Sequence, residues 1–188
     1  MKLNALFPTR DIGTDPLPAT TWRTAALAGF VPETDRTEEQ REAIALATTL
    51  ADELIDADAI LLAIPLYNWG VAAHVKSWYD VTYTDQRIKT GALAGKPVVL
   101  ASVLGGDYSE ESGKADWDHS TPWLRHVIEN IWKADLLVVQ RQLTLVGVNP
   151  ALDALKEQAA EVREAAHQLA SEHGRSLAAK RNAEGALV

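Results

Sequence analysis

Residues 57–80 read ADAILLAIPLYNWGVAAHVKSWYD, and this stretch decides the fold class. Residues 59–64 form a short apolar run that ends at Pro65, and a run that is apolar on both faces is typical of a central strand in a parallel sheet. Gly70 then marks a turn, and a helix is predicted over residues 71–83. The order of strand, loop and helix indicates one repeat of an α/β fold.

The same alternation continues along the chain. Thr37 and Gln40 have the spacing of a capping box, which predicts a helix over residues 37–56. Further strands are predicted over residues 97–102, 136–139 and 143–146, and further helices over residues 121–133 and 150–173, with Gly174 as the last C-terminal cap. These elements predict a parallel sheet with helices on both faces, whose ligand site lies at the carboxyl ends of the strands.

The composition limits the classes of function. A chain of 188 residues fits one domain, predicted here as residues 1–174 with a C-terminal tail of residues 175–188. The net charge of −8 argues against nucleic acid or an anionic membrane as partner. The absence of cysteine excludes disulfides and thiolate catalysis, and no histidine pair has the spacing of a metal site. No apolar stretch is long enough to span a bilayer and no signal peptide is evident, so a cytoplasmic location is expected.

The loop after the first predicted strand is one candidate site. Tyr67 and Trp69 offer flat apolar surfaces, and Asn68 both donates and accepts hydrogen bonds. A planar heteroaromatic ligand with carbonyl groups and ring nitrogens requires this combination. An ordinary strand–helix loop, whose aromatic side chains cap the core, explains the same residues, and the spacing alone leaves both interpretations open.

Two further segments are also candidate sites. Gly105 and Gly106, after the strand that ends near Ser102, let a backbone approach a ligand closely, although paired glycines often mark only a turn. Asp118 and His119 precede a predicted helix. They form either a hydrogen-bonded pair with a proton-donating histidine, or a helix cap beside a structural histidine.

Residues 57–80 resemble the flavodoxin-like FMN-dependent NAD(P)H oxidoreductases, the azoreductases and quinone reductases, whose signature is an apolar strand, then Pro-x-Tyr-Asn-Phe/Trp, then a helix. Lys76, Trp78 and Asp80 fall at matching positions in that helix. The resemblance extends over residues 10–173. It includes residues 11–18, which are similar to the second strand and following loop of the family.

The resemblance implies both a cofactor and its site. The FMN ring is expected against Pro65, Leu66, Tyr67, Asn68 and Trp69 on one side and against Ser102, Gly105 and Gly106 along its pyrimidine edge. Tyr108 is expected to cover the flavin or the nicotinamide. Tyr108, Asp118 and His119 are the candidate catalytic groups. NAD(P)H as electron donor, a small aromatic substrate and a homodimer follow from the same resemblance.

The N-terminal region departs from this family. Only nine residues precede Arg10, fewer than a strand, a phosphate-binding loop and a helix require, so the usual cradle for the FMN phosphate is expected to be missing. Residues 2–7 are the candidate for a substitute strand. The sequence therefore leaves open an FMN-dependent reductase of quinones or azo compounds and a flavin-independent member that binds an aromatic molecule for non-redox biosynthetic chemistry. A non-catalytic partner subunit is a further alternative.

Overall fold

The computed structural model of the chain describes residues 8–185. The chain divides into two compact units. We call residues 8–55 and 73–90 the helical unit, and residues 56–72 and 91–185 the sheet unit. The strand expected within residues 2–7 lies outside the described residues.

The helical unit is built from helices: α1 (Thr21–Ala28), α2 (Glu38–Asp56), α3 (Ala73–Thr82) and α4 (Gln86–Lys89), with a 3-10 turn at Glu33–Asp35. Helix α1 packs against α3. The helices predicted over residues 37–56 and 71–83 are thereby confirmed as α2 and α3.

Helix α2 begins where its sequence predicts. The N–H of Thr37 donates to Oε1 of Gln40 at 3.0 Å, and the N–H of Gln40 donates to Oγ1 of Thr37 at 3.2 Å. This reciprocal pair is a capping box, which satisfies two N–H groups that the first turn leaves free. One stripe of α2 is buried, consisting of Ala43, Ala47, Leu50, Ala51 and Leu54.

The chain before α1 forms a turn. Oδ1 of Asp11 accepts hydrogen bonds from the N–H groups of Gly13 and Thr14, both at 3.1 Å, and the N–H of Asp15 donates to the Asp11 carbonyl at 3.0 Å. An aspartate that bonds nearby backbone groups competes with strand pairing. The strand that the family resemblance placed within residues 11–18 is therefore wrong for this chain.

The sheet unit holds three parallel strands among its described residues, in the order β1 (Ile60–Ala63), β2 (Pro97–Val103) and β3 (Asp135–Arg141). The predicted parallel sheet is confirmed. Strand β1, predicted to be central, instead lies at the end of this described sheet, and Leu61 is 66% exposed. An apolar run indicates which environment the side chains favour, but it does not identify the neighbouring strands.

Residues 143–146 form a turn rather than the predicted strand. Leu143 has a φ of 61°, which lies in the left-handed region and takes the backbone out of an extended conformation. The N–H of Leu143 donates to the Gly106 carbonyl and the N–H of Leu145 to the Gly105 carbonyl, both at 3.0 Å. The segment is thereby fixed against the loop that follows β2.

The remaining helices belong to the sheet unit: a 3-10 helix at Ala115–Trp117, α5 (Thr121–Arg125), a π-helix at His126–Ile131, a 3-10 helix at Pro150–Leu155 and α6 (Lys156–Gly185). Helix α6 packs against β3. The expected cap at Gly174 is wrong, because α6 continues through it; a glycine inside a helix costs only about 1 kcal/mol. Within residues 8–185, no helix combines the length and apolarity that crossing a bilayer requires.

Candidate functional site

Three loops of the sheet unit carry all the residues that the sequence singled out for the cofactor and for catalysis. Residues 65–70 follow β1, residues 102–108 include the end of β2 and the loop after it, and residues 117–121 lead into α5. Since β1 and β2 are parallel, their carboxyl ends lie at one edge of the sheet. The pairing continues beyond β1, where the N–H of Leu66 donates to the Val103 carbonyl at 2.9 Å.

Residues Tyr67 to Gly70 form a tight left-handed turn. Asn68 and Trp69 have φ angles of 47° and 63°, and the N–H of Gly70 donates to the Tyr67 carbonyl at 3.0 Å. Asparagine tolerates this region of backbone space, whereas other L-residues pay roughly 1–2 kcal/mol there. The sequence marks Gly70 as the turn residue, but it is Asn68 and Trp69 that adopt the positive φ, and strain of this kind is concentrated at functional sites.

This turn exposes flat aromatic surface. Tyr67 is 55% exposed, Trp69 50% and Trp117 47%. The rings of Trp69 and Trp117 meet edge to face, with centroids 6.1 Å apart and an interplanar angle of 78°. An aromatic pair in this geometry is favourable, and both rings keep part of their faces open to a ligand.

A backbone hydrogen bond joins the turn to the segment before α5. The N–H of His119 donates to the Trp69 carbonyl at 2.9 Å. The His119 side chain itself is exposed. The backbone of His119 therefore fixes the turn, while its imidazole stays accessible to a ligand or to solvent.

Both carboxylate oxygens of Asp118 accept hydrogen bonds from groups other than His119. Oδ1 accepts from the N–H groups of Ser120 and Thr121, both at 2.9 Å, and Oδ2 accepts from Nε2 of Gln140 at 3.2 Å. The hydrogen-bonded pair of Asp118 with His119 is not formed. Asp118 makes the capping contacts of the alternative interpretation, at the N-terminus of α5.

Gln140 is a site residue that the sequence analysis missed. It lies on β3 in register with Ser102 of β2. Its Nε2 contacts Oγ1 of Thr121 at 3.2 Å in addition to Asp118. The signal was present in the sequence, since Gln140 is the first polar side chain after the apolar residues 136–139 and comes at the carboxyl end of a strand.

The glycine loop after β2 is held against the turn at residues 143–146. A Cβ on Gly105 would lie 2.7 Å from Cδ1 of Leu145, so a larger residue here would have to displace that side chain. A Cβ on Gly106 would meet only the Tyr108 ring, at 3.6 Å. The N–H of Tyr108 donates to Oε1 of Gln142 at 2.6 Å, which fixes the end of the loop.

Three buried hydroxyl groups in or next to these loops have no hydrogen-bond partner within the described residues: those of Ser102, Ser109 and Ser120. Ser102 is 2% exposed and Ser120 is 1% exposed. Buried polar groups are nearly always paired, with protein, water or ligand, so each of these hydroxyls is available to such a partner. Ser102 is one of the residues that the sequence assigned to the cofactor.

Burial raises the pKa of the Tyr108 phenol, and the negative charge of Asp118 raises it further. The group therefore stays neutral across the physiological range and is available as a hydrogen-bond donor. This state suits a proton donor and excludes a role as a phenolate base at neutral pH.

The other residues of the family signature lie in the helical unit. On α3, Nζ of Lys76 pairs with Oδ1 of Asp80 at 2.6 Å, and Trp78 is buried. A Lys–Asp pair four residues apart is an ordinary helix-stabilising contact. The described residues contain no cluster of histidine and carboxylate side chains that could hold a metal ion.

Known proteins share this architecture. The sequence profile of a family described as having a flavodoxin-like fold matches residues 2–170. An FMN-dependent NADH:quinone oxidoreductase of Frankia alni is 35% identical over 148 residues, which cover 76% of this chain and 70% of that protein. A protein of the same name from Kineococcus radiotolerans is 36% identical over 176 residues, covering 89% of this chain and 81% of the relative. The chain belongs to this flavodoxin-like quinone oxidoreductase family.

A solved structure supports the same fold. The azoreductase from Bacillus anthracis str. Sterne aligns over 85% of this chain and 76% of its own, with a TM-score of 0.64 and 18% sequence identity. At this identity the likeness concerns the fold alone. The predicted flavodoxin-like α/β class is thereby confirmed.

The left-handed turn gives a direct test of the backbone geometry. We expect Asn68→Val to lower the free energy of unfolding by about 1–3 kcal/mol, because a β-branched residue is strained at positive φ. The matched variant Asn68→Gly should change it by less than about 0.5 kcal/mol. Urea denaturation measures both, and equal stabilities of the two variants would contradict the turn.

The charge of Asp118 gives a second test. Asp118→Asn removes the negative charge that opposes ionisation of Tyr108, so the pKa of this phenol should fall toward its ordinary value of about 10. Burial still raises the pKa of the Tyr108 phenol in this variant, so only part of the elevation is lost. Ultraviolet titration of tyrosinate measures the change, with Tyr108→Phe identifying the group. An unchanged pKa would show that Asp118 does not act on Tyr108.

Proposed function

We propose that the protein is an FMN-dependent NADH:quinone oxidoreductase. The observation that carries the proposal is the strained turn Tyr67–Gly70, which exposes flat rings at the carboxyl end of β1, while β2 next to it ends with the buried, partnerless hydroxyl of Ser102. This edge is the general ligand site of open parallel sheets. The names of the relatives from Frankia alni and Kineococcus radiotolerans agree with it.

The residues present fit the isoalloxazine ring of FMN. The flat ring requires apolar surface, which Tyr67 and Trp69 expose, and its carbonyl and ring nitrogen edge requires polar partners. Asn68 supplies an amide that donates and accepts, and Ser102 supplies an orphaned hydroxyl. The backbone of Pro65 and Leu66 completes the strand-side wall of this proposed ring site.

The glycine loop forms the second wall of the proposed ring site. Gly105 is closed on its Cβ side by Leu145, so its contribution to binding comes from its backbone groups. Gly106 keeps more room, with only the Tyr108 ring nearby. The loop therefore combines a fixed position with close backbone access, which hydrogen bonding to ring carbonyls requires.

When bound, FMN supplies the two-electron carrier between NADH and a quinone. The chain supplies position and protons. Trp69 and Trp117 exclude water from one side of the ring site, and the neutral phenol of Tyr108 donates a hydrogen bond. Quinone, NADH and one proton give hydroquinone and NAD+, so one proton is needed besides the hydride, and the exposed imidazole of His119 is the group we propose to deliver it. Asp118 holds the segment that carries His119.

Flavin binding tests the proposal. Oxidised FMN added to the purified protein should be quenched in fluorescence with a dissociation constant of tens of micromolar or below, and the complex should oxidise NADH when a quinone is added. Trp69→Ala should weaken binding about 10-fold, which corresponds to about 1.4 kcal/mol of lost ring contact. Trp69→Phe keeps an aromatic ring and serves as the matched control, with a smaller loss.

Two outcomes would contradict the proposal. The first is no flavin binding at concentrations of tens of micromolar. The second is tight binding that Trp69→Ala leaves unchanged, because the ring would then lie elsewhere. Binding of an aromatic molecule without flavin, together with turnover that needs no NADH, would instead favour the flavin-independent function.

The proposal includes a cytoplasmic homodimer that takes a small aromatic quinone or azo substrate. The apolar side chains Trp22, Leu27 and Phe30, from one short stretch of the helical unit, are 49%, 51% and 88% exposed, and exposed apolar surface favours association. Light scattering should give twice the chain mass of 20.5 kDa. Phe30→Asp should shift the mass toward one chain, while Thr34→Asp, on an exposed residue nearby, should not. A monomeric wild-type protein would contradict the dimer.

A further inference from the structure

Gln140 connects β3 with the segment that fixes the aromatic turn. Its single Nε2 atom donates to Oδ2 of Asp118 and to Oγ1 of Thr121, both at 3.2 Å. Gln140 lies near the carboxyl end of β3, a strand held along its length by β2. The amide is therefore carried by a strand whose backbone is fixed by the sheet, and it is partly buried.

Asp118 connects Gln140 to the segment that holds the turn. With Oδ2 held by Gln140, its Oδ1 accepts the N–H groups of Ser120 and Thr121 at 2.9 Å. These three contacts fix the carboxylate and the peptide groups around it. The N–H of His119, the residue after Asp118, donates to the Trp69 carbonyl, with 2.9 Å between nitrogen and oxygen.

Trp69 needs such a restraint. It occupies a left-handed backbone conformation that is unfavourable for a tryptophan, and surrounding contacts must hold a residue of this kind in place. From outside the turn, Trp69 receives the hydrogen bond from His119 and the edge-to-face contact with Trp117, which precedes Asp118 by one residue. Both come from the segment that Asp118 organises.

We propose that Gln140 is a positioning residue: through Asp118 and the His119 N–H, it sets the geometry of the Trp69 turn and hence of the ring site. It acts without touching the ring itself. The inference rests on the proposed function only for its consequence, weaker flavin binding. The geometry of Trp69 and Trp117 can be measured in the protein without flavin.

The direct readout is the coupling between the two tryptophans. Two indole rings 6.1 Å apart at a large angle give an exciton couplet in the ultraviolet circular dichroism spectrum. Trp117→Phe should remove it, which identifies the pair. If the wild-type protein lacks a couplet that Trp117→Phe removes, the geometry is absent and the inference is overturned at this first step.

Gln140→Glu keeps the shape of the side chain and removes its N–H donors. We expect this variant to lose most of the couplet at neutral pH and to bind FMN about 10-fold more weakly, because a carboxylate would face Asp118. Combining it with Asp118→Asn should restore the couplet. The amide and carboxylate then exchange places, and an asparagine at 118 still accepts the N–H groups of Ser120 and Thr121.

Gln142→Leu is the matched control. Gln142 is also close to the end of β3, but its Oε1 accepts from Tyr108 and holds the glycine loop. This variant should keep the couplet. A merely structural role for Gln140 would depend on its volume, and Gln140→Glu would then behave as wild type. Retention of the couplet in Gln140→Glu, or its equal loss in Gln142→Leu, would overturn the inference.

The readouts separate this inference from the proposed function. If wild-type protein binds no flavin but the couplet responds to Gln140 as described, the proposed function fails and the positioning role stands. If flavin binds and the couplet ignores Gln140, the function stands and the positioning role fails. Helical circular dichroism and urea midpoints establish that each variant is folded.

Discussion

Parallel pairing of β1 with β2 is the constraint on which the site depends, because it places the ends of both strands at one edge of the sheet. The pairing continues past β1 through the N–H of Leu66, so the backbone enters the turn at Tyr67 from a fixed position. The turn must then reverse within two residues, and Asn68 and Trp69 do so with positive φ. The exposed aromatic surface is a consequence of that backbone geometry.

One neighbouring segment holds the strained turn, through the hydrogen bond from His119 and the ring contact from Trp117. The carboxylate of Asp118 accepts hydrogen bonds from the N-terminus of α5 and from Gln140. The N–H of the next residue, His119, donates to the Trp69 carbonyl. Asp118, which the sequence offered as one half of a pair with His119, thus stabilises the segment before α5. The imidazole of His119 remains exposed, and Tyr108 remains a neutral donor because burial and Asp118 both raise the pKa of its phenol.

The glycine loop shows how one sequence feature can serve packing and binding together. Gly105 packs closely against the side chain of Leu145, and its carbonyl accepts the N–H of the same residue. The glycine thus fixes the loop to the turn at residues 143–146, which the sequence had assigned to a strand. Alternation of apolar residues cannot reveal that Leu143 adopts a positive φ, because this depends on the loop it bonds to.

The sequence by itself determined the α/β class, the helix that begins at the Thr37 capping box, the parallel strands and the loop around Asn68, because periodicity, caps and strand-ending prolines are local signals. Only the tertiary structure decided that β1 lies at the end of the described sheet and that Gln140 reaches Asp118. It also decided that Asn68 and Trp69, and not Gly70, adopt the positive φ of the turn. These features depend on contacts between segments that are distant in the sequence, and local sequence patterns do not indicate such contacts.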